Sequence, residues 1–156
     1  MTYFARYEEP ESGFAAVAGR DSALRRIVLA AGRLGAGEGG PTHLHHGEEI
    51  LRIVSGEVDV TVGHETRRCR AGDVVIIPTD VLHGFTTITE TAMEVVAELD
   101  AGQIFPVRAE DGTTRLVEVY RSDMPWSRQP PPGFGWTSDA EMVDILSRAS
   151  RGIAAD

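Results

Sequence analysis

With one cysteine, Cys69, the 156-residue chain can close no disulfide within itself, which fits a reducing compartment. Basic charge is scarce too. Fifteen Lys+Arg stand against 24 Asp+Glu, a formal net charge of −9. The only basic runs are the pairs Arg25-Arg26 and Arg67-Arg68, which read as solvated strand edges. Phosphate binding needs a basic surface, so a nucleic-acid partner is not expected. No apolar stretch approaches the roughly 20 residues that span a bilayer. Met1 to Pro10 carries acids and aromatics where a signal peptide would carry a basic patch and an apolar run. The expectation is a cytoplasmic protein with no membrane or nucleic-acid partner.

What the chain has is β patterning. Arg25 to Leu34 is β-branched and aliphatic, and Gly35 to Pro41 holds four glycines. Thr42 to His46 and Glu49 to Ser55 read as short extended runs joined at Gly47. Val58, Val60 and Val62 alternate with polar residues, the two-residue period of a half-buried strand. Gly63-His64 and Ala71-Gly72-Asp73 make turns, and Val74 to Ile77 is an apolar strand stopped by Pro78. Further strands are expected at His83 to Ile88, Met93 to Leu99, Ile104 to Val107 and Arg115 to Tyr120. Short strands punctuated by Gly and Pro predict an all-β barrel or sandwich of antiparallel sheet.

The tail changes character. Ser122 to Gly135 contains four prolines and Trp126, and should be ordered only by packing on the barrel. Ser138-x-x-Glu141 is a capping box that opens a short C-terminal helix. Met142, Ile145, Leu146 and Ala149 follow at helical spacing, a stripe that reads as core cover or a dimer contact. The expected organisation is one domain: an N-terminal strand or arm over 1–24, a barrel over 25–120, and a Pro-rich tail with its helix over 121–156.

His43 and His45 are two residues apart, so on an extended strand both rings leave the same face. Glu49 shares their parity if the chain stays extended through Gly47. His83 must come from another strand. Three imidazoles and one carboxylate suit Fe, Mn, Ni, Co, Cu or Zn rather than Ca or Mg. His46 has the opposite parity and His64 lies in a turn, so neither is expected to be a ligand. Cys69 is expected to serve packing, although Arg68 and Arg70 beside it could make its thiol reactive by lowering its pKa.

The two elements Gly37-x5-His43-x-His45-x3-Glu49-x6-Gly56 and Gly72-x5-Pro78-x-Asp80-x2-His83 resemble the two motifs of the cupin superfamily. The likeness runs over roughly residues 25 to 100. It departs from the pattern at Asp80, where glycine is usual, and at Thr87, where asparagine is usual. Aspartate tolerates the left-handed backbone a tight turn needs. The resemblance implies a jelly-roll β-barrel, usually a homodimer, with one divalent metal held by His43, His45, Glu49 and His83.

Such a site does not name a reaction. The leading expectation is a metal-dependent enzyme on a small organic substrate, with a dioxygenase favoured if the ion is iron. A Lewis-acid isomerase, lyase or cyclase is the alternative, and a non-catalytic small-molecule binder the third. No separate organic cofactor and no catalytic residue beyond the metal centre is identified. Tyr3, Tyr7, Glu48, Arg52 and Asp59 are candidate pocket residues whose orientation depends on strand register.

Overall fold

The computed structural model describes residues 3–99, 102–122, 124–127 and 130–149. Of the expected tail, residues 123, 128, 129 and 150–156 lie outside the described residues. Among the described residues, ten strands and one helix follow in chain order. They are β1 (Gly13–Ala18), β2 (Ile27–Leu34), β3 (Glu49–Ser55), β4 (Glu57–Val62), β5 (Glu65–Arg70), β6 (Val74–Ile77), β7 (His83–Thr87), β8 (Thr91–Glu98), β9 (Gln103–Arg108), β10 (Thr114–Val119) and α1 (Asp139–Arg148). A 3-10 turn, Arg20–Ser22, links β1 to β2.

One sheet runs in the order β1-β2-β8-β3-β6, with every pairing antiparallel. The other layer is built from β5-β4-β7 and the hairpin β10-β9. The segment before β3 knits these two pieces together. Gly39 bridges to Thr86, His43 to His83, and Leu44 to Ile104. This makes an antiparallel β-barrel of the jelly-roll kind, with a short C-terminal helix.

The core sits between the layers because each strand alternates. On β3, Leu51 and Ile53 are buried while Ile50 and Arg52 face out. On β8, Met93, Val95 and Ala97 point in. On the opposite wall Val58, Val60 and Cys69 meet them. The alternation on β5 also settles the cysteine. Arg68 and Arg70 face outward and bond Asp59 and Glu57, and burial pushes the Cys69 thiol up, not down. Cys69 therefore packs in the core, as expected, and its flanking arginines do not activate it.

Gly56 and Gly39 hold the tightest backbone approaches. A Cβ on Gly56, whose φ is 85°, would lie 2.1 Å from the Glu90 carbonyl oxygen. One on Gly39 would lie 2.1 Å from the carbonyl oxygen of Phe85. Only glycine lets the segment before His43 dock on β7.

The segment 42–46 departs from the expected strand. His43 and Leu44 make single bridges, and the chain bends at His46-Gly47 before β3 begins. Pro41 lacks an N–H to extend the ladder. At the tail, Ser138 and Glu141 form the expected capping box. Met142 and Ile145 pack on Phe105, Val107 and Val119, so the helix covers the β9–β10 hairpin.

Candidate metal centre

Two strand-like segments, 42–46 and β7, deliver the histidines to one point. His43 and His83 face each other across a reciprocal pair of backbone hydrogen bonds, each 2.9 Å. His83 shares the inner face of β7 with Phe85 and Thr87, and its side chain is 5% exposed. His45 follows two residues after His43. One ring nitrogen from each of His43, His45 and His83 lies within 4.8 Å of the others, a group that could hold a metal ion.

Backbone carbonyls set the orientation of every ring. His43 Nδ1 lies 3.2 Å from the Pro41 oxygen, His45 Nδ1 2.9 Å from that of Gly47, and His83 Nδ1 2.8 Å from that of Val81. A carbonyl only accepts, so each Nδ1 carries the hydrogen and each Nε2 is left with a lone pair. Burial, and the nearby His83, push the His43 pKa down to about 4. His83 is lowered as well, chiefly by burial. Both rings are thus neutral donors at neutral pH.

Glu49 enters from the first residue of β3, on the face it shares with Leu51 and Ile53. Its Oε2 lies 2.8 Å from His45 Nε2 and 3.7 Å from His83 Nε2. Burial works to raise its pKa, but a hydrogen shared with His45, and the charge the imidazoles carry when protonated, outweigh it and hold the carboxyl below its usual range.

Two features show that these residues fit a cation. His83 Nε2 is buried and has no hydrogen-bond partner among the described residues. Such a group is costly unless something occupies its lone pair. Second, His45 Nε2 and a carboxylate oxygen face each other with no hydrogen from Nδ1 to spare, so a proton or a metal ion must lie between them. The 2.8 and 3.7 Å separations bracket the roughly 3 Å between neighbouring donors on one transition-metal ion.

A cavity of about 540 Å³ opens over the cluster. Its walls are mostly apolar, with Leu51, Val60, Phe85, Phe105 and Trp126 among them, and Met142 and Leu146 of α1 reach its edge. Trp126 stands edge-on to Phe14 at 5.3 Å between ring centres. The tail and helix therefore wall the cavity, a role the sequence did not mark. Glu38, Glu98, Gln103 and Ser127 are its further polar lining.

The remaining sequence candidates fall elsewhere. Tyr3 is 84% exposed, Arg52 pairs with Glu94, and Asp59 pairs with Arg68. Neither these nor Tyr7 and Glu48 line the cavity. Strand parity explains the two charged strand residues, since Arg52 and Asp59 sit between inward neighbours on β3 and β4. His64 is exposed in its turn, and His46 faces out to meet Asp80 at 2.5 Å. Asp80 has a φ of 62°, the left-handed conformation expected there. Thr87 is buried, accepts from the Glu38 N–H at 2.9 Å and donates to the Gly35 carbonyl at 2.5 Å, tying down the glycine-rich loop.

An antiparallel jelly roll with a histidine cluster facing an apolar cavity defines the class. Residues 32–100 of the chain match the family described as "Cupin domain". No curated protein matches the sequence. Among solved structures, the chain is similar to a cupin superfamily protein from Desulfitobacterium hafniense, with 18% identity over 61% of this chain and 84% of that one at a TM-score of 0.52. It is also similar to a polyketide cyclase from Streptomyces resistomycificus, with 18% identity over 78% of this chain and 84% of that one at a TM-score of 0.51. A third likeness is to a protein provisionally assigned as a sugar phosphate isomerase from Acidithiobacillus ferrooxidans, with 19% identity over 67% of this chain and 74% of that one at a TM-score of 0.52. At these identities the likenesses speak to fold alone.

Proposed function

We propose that this chain is an enzyme acting on a small organic substrate held on one divalent transition metal, with His43, His45, Glu49 and His83 as the ligands. Oxidative cleavage by dioxygen is the leading reaction. The observation that carries the reading is the convergence of three imidazoles, one of them with an orphaned buried nitrogen, on a carboxylate beneath an apolar cavity. When bound, the ion supplies Lewis acidity and, if it is Fe(II), electrons for dioxygen chemistry.

The chain's own residues supply the rest. Phe85, Phe105 and Trp126 take the apolar body of the substrate and exclude water from its reacting end. Glu38 and Glu98 are the other titratable groups among the described lining residues. Glu98 already accepts the Glu48 N–H at 2.8 Å. That makes Glu38 the better candidate to carry a proton between substrate and solvent.

The same donors also take Zn, Ni or Mn, and affinity order alone does not select iron. With one of those ions the reading becomes isomerisation, cyclisation or lyase cleavage. The deciding experiment compares Fe(II)-loaded protein with and without oxygen on β-diketones and catechols. Turnover that requires oxygen and consumes it supports the dioxygenase. Undiminished anaerobic turnover promotes the Lewis-acid reaction. Tight ligand binding without turnover under any metal would mark a binding protein.

A further inference from the structure

We infer that Gln103, which lies outside both sequence motifs, selects an oxygen anion as the ligand at this centre. The inference rests on the metal-site reading above. Gln103 is the first residue of β9. Its neighbour Ile104 exchanges both backbone hydrogen bonds with Leu44, at 2.8 and 2.9 Å, and Leu44 is next to His43. Strand pairing therefore holds Gln103 beside His43.

The side-chain amide reaches the cluster. Gln103 Nε2 lies 3.4 Å from His43 Nε2. His43 spends its one hydrogen on the Pro41 carbonyl, so its Nε2 presents a lone pair. The amide must then offer its NH2 end, because the reverse placement would set a carbonyl oxygen against that lone pair. Once an ion takes the lone pair, the NH2 group loses its acceptor in a cavity with mainly apolar walls. An amide in that position is costly until another acceptor arrives.

The acceptor best placed to restore the bond belongs to whatever shares the ion with His43. A carboxylate, enolate or phenolate oxygen can bind the ion and still accept from Gln103. An amine or thioether cannot. Phe105, 5.4 Å from the His43 ring, and Phe85 supply an apolar wall beside that position. The substrate class that fits is a small acid, enolate or phenolate with an aryl or alkyl body.

Benzoate is the probe, and the visible spectrum of Co(II)-loaded protein is the readout. Wild type, Gln103→Met and Gln103→Glu are compared, with thermal unfolding of each to verify the fold. Wild type takes up Co(II), and benzoate shifts its bands. Gln103→Met, which keeps the shape but loses the donor, holds Co(II) within about twofold of wild type and weakens benzoate roughly ten- to a hundredfold. Gln103→Glu weakens benzoate further, since one carboxylate repels another. Unchanged benzoate affinity in a folded Gln103→Met would overturn the inference. A large loss of Co(II) from that variant would also overturn it, because Gln103 would then be a ligand. Wild type that takes up no Co(II) would sink the metal-site reading itself, which the benzoate comparison alone cannot do.

Discussion

His43 shows how much chemistry one buried side chain can store. Its pKa of about 4 in the folded chain compares with about 6.5 for an exposed imidazole. Below pH 6.5 the unfolded chain takes up a proton that the native ring refuses, so stability falls as pH falls, and the loss is complete near pH 4. The shift predicts a loss of about 3 kcal/mol for the metal-free protein across that window. Urea unfolding at pH 7.5 and pH 4.5 measures it, and equal stability at both would contradict the neutral, buried His43. At this scale the two motifs made the convergence of the histidines and Glu49 legible, because their spacing is written locally. Gln103 was not legible. It comes from a strand whose place beside Leu44 is set only by the closed barrel, and one residue of register decides which way its amide points.

Elements were easiest to read where the pattern had sharp ends. Glu49–Ser55 and Val74–Ile77 run between the residues expected, because alternation or an apolar run meets Gly56 or Pro78. The stretch around His43 and His45 was harder, since Pro41 and the bend at Gly47 leave bridges in place of a ladder. Gly39 is the weak point of that stretch. Gly39→Ala drives a methyl toward the Phe85 carbonyl, so it should cost a few kcal/mol (about 1–3) and lower metal uptake by displacing His43. A variant with wild-type stability and metal content would show that the docking of this segment is not tight. By contrast, Ile53→Ala opens a hole in the core at a fully buried site. It should cost about 2–5 kcal/mol in denaturant unfolding yet leave the metal stoichiometry of the folded protein unchanged.

For the whole molecule, the barrel, the site and the tail act together. Trp126, Met142 and Leu146 close one side of the cavity, which explains why a Pro-rich segment and a helix without buried residues are kept against the barrel. Sequence patterning showed the helix and its cap but not what it covers, because an amphipathic stripe carries no address. On the opposite sheet, β6 is an edge strand with Val74 54% and Ile76 71% exposed, beside Ile50 at 45%. Apolar edges of this kind call for a partner, and the expected homodimer would cover this one. Sedimentation should then give a dimer, with Ile76→Asp shifting it toward monomer. A wild-type monomer at micromolar concentration would contradict the assembly without touching the site. The centre itself is tested most directly by elemental analysis of wild type and His83→Ala, both purified without added metal. The account predicts close to one transition-metal ion per chain in the wild type and near none in the variant, with His64→Ala matching wild type. Metal-free wild type that stays so on loading, or equal content in His83→Ala, would contradict it.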